Sequence, residues 1–173
     1  MSSKKVNTLL PVYILDSAGL FRISLINSEI MFTTNEAVNE VDNENERLIV
    51  NSYIKSSKLK VLEPERQAVK LALNITGASP RLTQADISVI ALALQLYEKY
   101  DITVITDDYE LQNVLALHNI KFKGIKTVGI KKIIRWTYRC TGCGRYFKNP
   151  LEICPYCGSA VKRKPKKIKD KTS

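Results

Sequence analysis

The stretch Ile102-Thr103-Val104-Ile105-Thr106-Asp107-Asp108-Tyr109-Glu110-Leu111-Gln112-Asn113-Val114-Leu115-Ala116-Leu117 decides how this chain folds. Its first four residues are β-branched, which suits a pleated surface, so 102–105 is a predicted strand. A helix follows over 108–117, where Asp108 is a favourable charge in the first turn. Residues 120–122 read as a last strand. Working outward, 12–15 is short, apolar and β-rich, as a buried strand is, and Asp16 ends it. A helix over 18–26 and a short strand over 30–33 follow. Thr34 or Asn35 can cap a helix carrying Val38, Glu40 and Val41. Residues 44–55 form the next helix, with Leu48, Ile49 and Tyr53 at helical spacing, and 58–62 alternates as a strand does. Pro64 suits the first turn of a helix to about Thr76, and a loop follows over 77–81. Thr83-Gln84-Ala85-Asp86 opens a long helix to about Tyr100, with Ile87, Ile90, Ala91 and Leu94 on one stripe. Strands that alternate with helices predict an α/β domain: a parallel sheet with helices on both faces.

In such sheets a site lies outside the carboxyl ends of the strands, at the point where the winding reverses. Asp16 falls at one such end, and Asp107 and Asp108 at another. With Glu40 and Asp86 they form a candidate acidic cluster. Each acid has a plainer role open to it: Glu40 as one charge on a solvated helix face, Asp86 as partner of Thr83 in a capping box, Asp108 as a first-turn charge. Together they repel, by about 4 kcal/mol for two charges 4 Å apart at an effective dielectric of 20. A divalent cation relieves this, and Mg²⁺ or Mn²⁺ prefers oxygen ligands and phosphates. Such a centre can orient water and stabilise charge on a phosphodiester. The rival reading, an aspartyl phosphatase, needs a second Asp two residues after the first; Ala18 stands there. The chain has no P-loop, no Gly-rich dinucleotide motif and no nucleophile elbow.

Four stretches carry a family resemblance. They are Val12-Tyr13-Ile14-Leu15-Asp16, then Thr33-Thr34 with Val38-Asn39-Glu40-Val41, then Leu82-Thr83-Gln84-Ala85-Asp86-Ile87-Ser88-Val89, then Thr106-Asp107-Asp108-Tyr109-Glu110-Leu111-Gln112-Asn113. They resemble the PIN-domain nucleases. With the cysteine module behind them, the chain resembles the Nob-type endonucleases, which mature the 3′ end of small-subunit ribosomal RNA. The absence of a large insertion is similar to archaeal members. The resemblance implies a PIN-like parallel sheet and a metal-dependent single-strand RNA endonuclease. It gives Asp16 as the first-strand ligand, Glu40 as the helix carboxylate and Asp86 as the third acid. The fourth falls on Thr-Asp-Asp: a Thr-x-Asp pattern selects Asp108, while Asp107 ends the strand and also faces the edge, so both stay open. Asp16, Asp86 and Asp108 are the implied Mg²⁺ or Mn²⁺ ligands, and Ser17 and Thr106 are implied to hydrogen-bond ligands or phosphate. The implied partners are pre-rRNA, the small ribosomal subunit precursor and ribosome assembly factors. Two alternatives remain: a non-cutting RNA-binding assembly factor, and a toxin-type PIN ribonuclease acting on free RNA.

Cys140-x-x-Cys143 and Cys154-x-x-Cys157 lie ten residues apart, in a segment too short for its own core. Four close thiolates supply the tetrahedral set of one structural zinc, so a small β zinc ribbon is expected. Gly144 and Gly158 follow the second cysteine of each pair, where a knuckle turn calls for positive φ. Two disulfides are the alternative, and a reducing compartment disfavours them.

The chain has 173 residues, 27 Lys+Arg and 17 Asp+Glu, a net charge of +10. That excess is segregated: 1–118 carries 11 basic and 15 acidic residues, whereas 119–173 carries 16 and 2. A segment so basic points to a polyanion. Lys131, Lys132, Arg135, Arg139, Arg145 and Lys148 are the candidate RNA contacts. Trp136, Tyr138, Tyr146, Phe147 and Tyr156 serve there as apolar filler or as stacking surfaces. His118, the only histidine, suits a helix C-terminus. The expected organisation is a PIN domain over 10–123, a basic connector over 124–135, a ribbon over 136–161 and a disordered basic tail over 162–173. No run is long and apolar enough to span a membrane. Pro11, Asp16 and the lack of a small-residue cleavage site argue against a signal peptide, so a cytoplasmic protein is expected.

Overall fold

The computed structural model describes residues 9–28, 30–77 and 81–167. The first residues, weighed above as a leader, and the end of the basic tail lie outside that set. Strands β1 (Leu10–Leu15), β2 (Met31–Thr33), β3 (Leu59–Val61), β4 (Tyr100–Ile105) and β5 (Lys121–Lys123) form one sheet in the order β3-β2-β1-β4-β5. Every neighbouring pair is parallel. The chain winds outward from β1 to β3, then returns past β1 to build β4 and β5. The winding reverses between β1 and β4, and their carboxyl ends flank the crevice this creates. Pairing from Leu10↔Tyr100 to Leu15↔Ile105 makes Asp16 and Thr106 leave the sheet at the same level. Ile14, Leu15, Val104 and Ile105 are buried, as a central parallel strand requires.

The helices are α1 (Ser17–Leu20), α2 (Asn35–Asn39), α3 (Glu44–Lys55), α4 (Arg66–Thr76), α5 (Gln84–Leu96) and α6 (Tyr109–Leu117). Three differ from the sequence reading. The helix expected over 18–26 is α1 followed by a 3-10 turn, Ile23–Leu25; the chain breaks at Arg22, whose φ of −128° lies outside the helical region. Helix α5 stops at Leu96, because Tyr100 is already the first residue of β4 and pairs with Leu10. It is also buried on most sides and not along one stripe, since it packs against β1, β4, α2 and α4 together. Pro64 stands just before the N-cap Glu65 of α4, outside the first turn.

A second sheet places β6 (Ile134–Cys140) between β7 (Tyr146–Phe147) and β8 (Val161–Lys167), both antiparallel to it. This corrects the expected tail. Residues 161–167 are a strand whose pairing with β6 runs from Cys140↔Val161 to Ile134↔Lys167. Backbone hydrogen bonds drive that pairing, and alternation leaves Lys162 and Lys164 exposed while Arg163 turns inward. Two contacts tie this sheet to α6. Asn113 Nδ2 donates to the Ile134 carbonyl at 2.8 Å, and the Ile134 N–H donates to Asn113 Oδ1 at 2.6 Å. Arg163 Nη2 donates to Glu110 Oε1, and its guanidinium lies 3.8 Å from the Trp136 ring centroid.

Candidate active site

Three acids of the expected cluster are held by helix starts. Asp16 is the N-cap of α1, and its Oδ1 accepts the Gly19 N–H at 2.6 Å. Asp108 is the N-cap of α6, its Oδ1 accepting the N–H groups of Glu110 and Leu111. Asp86 is the third residue of α5 and closes a capping box: its backbone N–H donates to Thr83 Oγ1, while its Oδ2 accepts the Thr83 N–H at 2.8 Å. The capping role read from sequence is therefore real, and it aims the carboxylate as well. Glu40 is the exposed C-cap residue of α2. Helix N-termini favour negative charge, so the fold stabilises ionised carboxylates where it concentrates them.

Burial works against ionisation. Asp16, only 4% exposed, has its carboxyl raised to about 6, mainly by desolvation. The Thr106 hydroxyl and the Gly19 N–H oppose that rise, and the charges of Asp86 and Asp107 add to it. Desolvation likewise raises Asp86; the Thr83 N–H opposes it, and Asp108 and Glu40 add to the rise. The repulsions link Asp107 to Asp16, Asp16 to Asp86, and Asp86 to Asp108 and Glu40, so Asp16 and Asp86 join the five acids. Among the described residues the ion pairs are Lys121–Asp101 and Arg163–Glu110, and neither includes any of the five.

Asp107 and Asp108 have different surroundings. Asp107 Oδ1 accepts the N–H groups of Ile125, Lys126 and Thr127 and the Thr127 hydroxyl, at 2.8 to 3.1 Å. It grips the start of the connector. Asp108 keeps Oδ2, and Asp86 keeps Oδ1, without a hydrogen-bond donor among the described residues. Buried Thr106 joins the group: its Oγ1 accepts the Asp108 N–H at 3.0 Å, and its hydroxyl hydrogen-bonds Asp16. Ser17 opens α1 beside Asp16 and has no side-chain hydrogen bond among the described residues.

Three contributors escaped the sequence reading. A Cβ at Gly19 would lie 3.0 Å from the Ile105 carbonyl and 3.2 Å from Asp16 Oδ1, so a side chain there would press on the end of β4 and on the carboxylate. The buried hydroxyls of Thr34 and Ser88 meet at 2.6 Å and join the α2 cap to α5. Gln112, fully buried, donates to the Thr106 carbonyl at 2.8 Å. Its signal was a Gln-Asn pair on the apolar face of α6, between Leu111 and Val114.

The four cysteines form a tighter group. Cys140 and Cys157 Sγ lie 3.4 Å apart, Cys143 and Cys154 Sγ 3.7 Å, and all four lie within 4.8 Å of one another. A tetrahedron with metal–sulfur bonds of about 2.3 Å has edges near these values, whereas a disulfide needs about 2.05 Å. The Gly142 and Cys143 N–H groups donate to Cys140 Sγ, as a thiolate would accept. Donors from Ser159 pull Cys157 down to about 5, while burial pushes Cys140 up to about 11. Gly144 and Gly158 take φ of +72° and +70°, as the knuckle reading requires.

The candidate RNA contacts spread over the ribbon side. Lys131 and Lys132 are exposed on the connector, and Arg135 is exposed on β6. Arg139 sits 5.5 Å from the Tyr146 ring and Arg145 4.3 Å from the Tyr156 ring. Arg139 and Lys148 line a groove with Tyr146 and Phe147. His118 is the C-cap of α6, at the helix end expected. Among the described residues no helix is long and apolar enough to cross a membrane.

Comparison with known proteins agrees with this geometry. Residues 13–96 match the family model described as the PIN domain of ribonuclease. The chain is 43% identical over 141 residues to the protein named Endoribonuclease Nob1 of Pyrococcus abyssi, covering 79% of this chain and 84% of that one. It is 35% identical over 165 residues to Endoribonuclease Nob1 of Archaeoglobus fulgidus, covering 94% and 96%. It is 32% identical over 157 residues to Ribonuclease VapC1 of Thermoplasma acidophilum, covering 88% and 77%.

Proposed function

The chain belongs to the Nob1 endoribonuclease family, and from that premise we propose that it cuts precursor small-subunit ribosomal RNA at the 3′ end of the mature sequence, using the carboxylates between β1 and β4. The observation that carries this reading is the set Asp16, Asp86 and Asp108. Asp86 repels each of the other two. Among the described residues none of the three pairs with a cationic side chain, and Asp86 and Asp108 each keep a carboxylate oxygen without a donor.

That donor set suits a hard divalent cation, Mg²⁺ or Mn²⁺, held by Asp16, Asp86 and Asp108 with Glu40 at the rim. A cation bound there supplies Lewis acidity toward the scissile phosphate and a polarised water. The protein's own part is positioning. Thr106 holds Asp16 and Asp108 in one frame. Gly19 and Thr83 fix one oxygen of Asp16 and of Asp86, and Asp86 Oδ1 is left without a donor among the described residues. Asp107 keeps the connector against the sheet edge, so we assign Asp108 as the fourth acid and Asp107 as a positioning residue. The cysteines take one structural zinc, a closed set with no position for catalysis. The basic ribbon side holds the RNA by its phosphates. With about six phosphates neutralised on a single strand, log K falls with log salt at a slope near −4. The precursor subunit and its assembly factors present the cut site, in the cytoplasm.

The test is cleavage of a short RNA spanning the small-subunit rRNA 3′ end, free and within precursor particles, with Mn²⁺. The expected result is one cut position, lost in Asp16→Asn. Binding without cutting in both substrates would favour the assembly-factor reading.

A further inference from the structure

A cleft of about 290 Å³ runs between the ends of α4 and α6 and the strands β6 and β8. None of the five acids lines it. Its ribbon wall is cationic: Arg135, Lys148 and Arg163 face the single acid Glu110. Arg163 Nε and Nη1 and the Trp136 indole Nε1 are buried there without an acceptor among the described residues. A buried donor without an acceptor is costly, so Arg163 and Trp136 gain from any side-chain shift that opens them to an acceptor in the cleft. The other wall has the opposite character. Helices α4 and α6 both end on it, at Asn74–Gly77 and at His118, and helix C-termini present carbonyl oxygens and the negative end of the dipole. That wall disfavours a bare anion and suits a ligand that also carries donors. A ribonucleotide meets both demands, with phosphate oxygens for the exposed Arg135 and Lys148 and for Arg163 once it turns toward them, and 2′-hydroxyl and base N–H groups for the carbonyls.

We propose that this cleft binds one phosphate-bearing nucleotide of a single-stranded RNA, as a holding site separate from the acidic centre. It rests on the reading of the chain as an RNA-cutting enzyme and adds to it a second point of grip. Helix α6 connects the two places: Asp108 caps its start at the acids, and its flank from Glu110 to His118 lines the cleft. A strand held here is fixed in register relative to the cut site by a rigid element.

Trp136 is the only tryptophan of the chain, so its emission reports directly on the cleft. The zinc-loaded full chain, with no Mg²⁺ or Mn²⁺ added, is titrated with a short single-stranded oligoribonucleotide and followed both by Trp136 fluorescence and by anisotropy of a label on the RNA. A saturable change in Trp136 emission is expected, with the same Kd by both signals. Arg135→Ala with Lys148→Ala, two exposed positions, is expected to weaken that Kd by about tenfold. Lys131→Ala with Lys132→Ala removes the same charge outside the cleft and is expected to cost about threefold at most, as general phosphate attraction does. Inorganic phosphate at matching concentration is expected to leave the emission unchanged. Three results would overturn the proposal: equal losses in the two double variants, RNA binding by anisotropy with no response of Trp136, or the same response from inorganic phosphate. Loss of the nuclease reading has a separate sign, absence of cutting once Mn²⁺ is added, which leaves the binding result intact.

Discussion

The carboxylates at the sheet edge and the thiolates of the ribbon both gather negative ligand atoms, yet they are assembled by opposite routes. Asp16, Asp86 and Asp108 come from three elements of one large core, and each is fixed by the N-terminus of its own helix. That core sets the acids near one another despite the repulsion between them. The cysteines come from two short turns that have almost no core beneath them, and they are drawn to within 4.8 Å of one another. Among the described residues, no acidic or histidine group is gathered as closely. On the proposed reading, one site is imposed by the fold on its ligand atoms and the other holds its part of the fold together. The first is then expected to release and rebind a hard ion without loss of structure, and the second is not.

Removing the ribbon's metal tests that contrast with the largest expected effect. Stripping zinc, or Cys140→Ser, is expected to unfold 134–167 and leave the five-stranded sheet standing, since zinc binding of this kind contributes roughly 10–16 kcal/mol to folding. Amide spectra that lost the sheet and the ribbon together would contradict it.

Asp16→Asn acts at the other site. Cleavage is expected to fall on the order of a thousandfold, because a charge that faces the reacting phosphate is removed. Stability in divalent-free buffer is expected to rise instead. Asp16 is raised to about 6 against 3.8 in the unfolded chain, so the folded state binds the proton more tightly. Its stabilising contribution is complete below about pH 4 and is lost as pH rises to about 6. At pH 7.5 the ionised carboxylate therefore costs about 2–3 kcal/mol, which the neutral amide avoids while still able to cap α1. Thermal melts of the two proteins at pH 7.5 decide the sign.

The same shift sets a pH profile. Cation affinity at the acids, measured by Mn²⁺ titration, is expected to rise through a midpoint near 6 and level off above it. A midpoint near 4 would mean that Asp16 is not a ligand.

Asp107→Asn sharpens the comparison inside the acid group. It weakens five hydrogen bonds to 125–127 and is expected to cost about 1–3 kcal/mol of stability with a cleavage loss of about tenfold or less. Asp108→Asn is expected to reverse that order, sparing stability and abolishing cutting. Melting temperature and rate measured on both variants separate the two roles.

The sequence made different parts of this molecule legible to different degrees. The β-branched run before Thr106 and the apolar run before Asp16 announced parallel strands, because a strand buried on both faces has no alternative composition. Asp16, Asp107 and Asp108 were readable as neighbours because strand ends converge at a winding reversal. That Asp107 grips the connector was not readable, since the contact lies 18 to 20 residues away at 125–127. The cysteine spacing gave the ribbon and its two left-handed glycines. The strand at 161–167 was hidden by its composition. A lysine-rich stretch reads as solvated chain, and only the partner edge of β6 turns it into a strand. Arg163 shows the same limit, since its neighbours Glu110 and Trp136 lie far off in sequence.

The measurement that bears most directly on the central claim is the cleavage rate of the zinc-loaded protein as Mn²⁺ is titrated, for the native chain and for Asp108→Asn. The expected result is a native protein that is silent until Mn²⁺ is present and then saturates, beside a variant that stays silent throughout with its ribbon folded. Cutting by the zinc-loaded protein without Mn²⁺, or an undiminished rate in Asp108→Asn, would contradict the account.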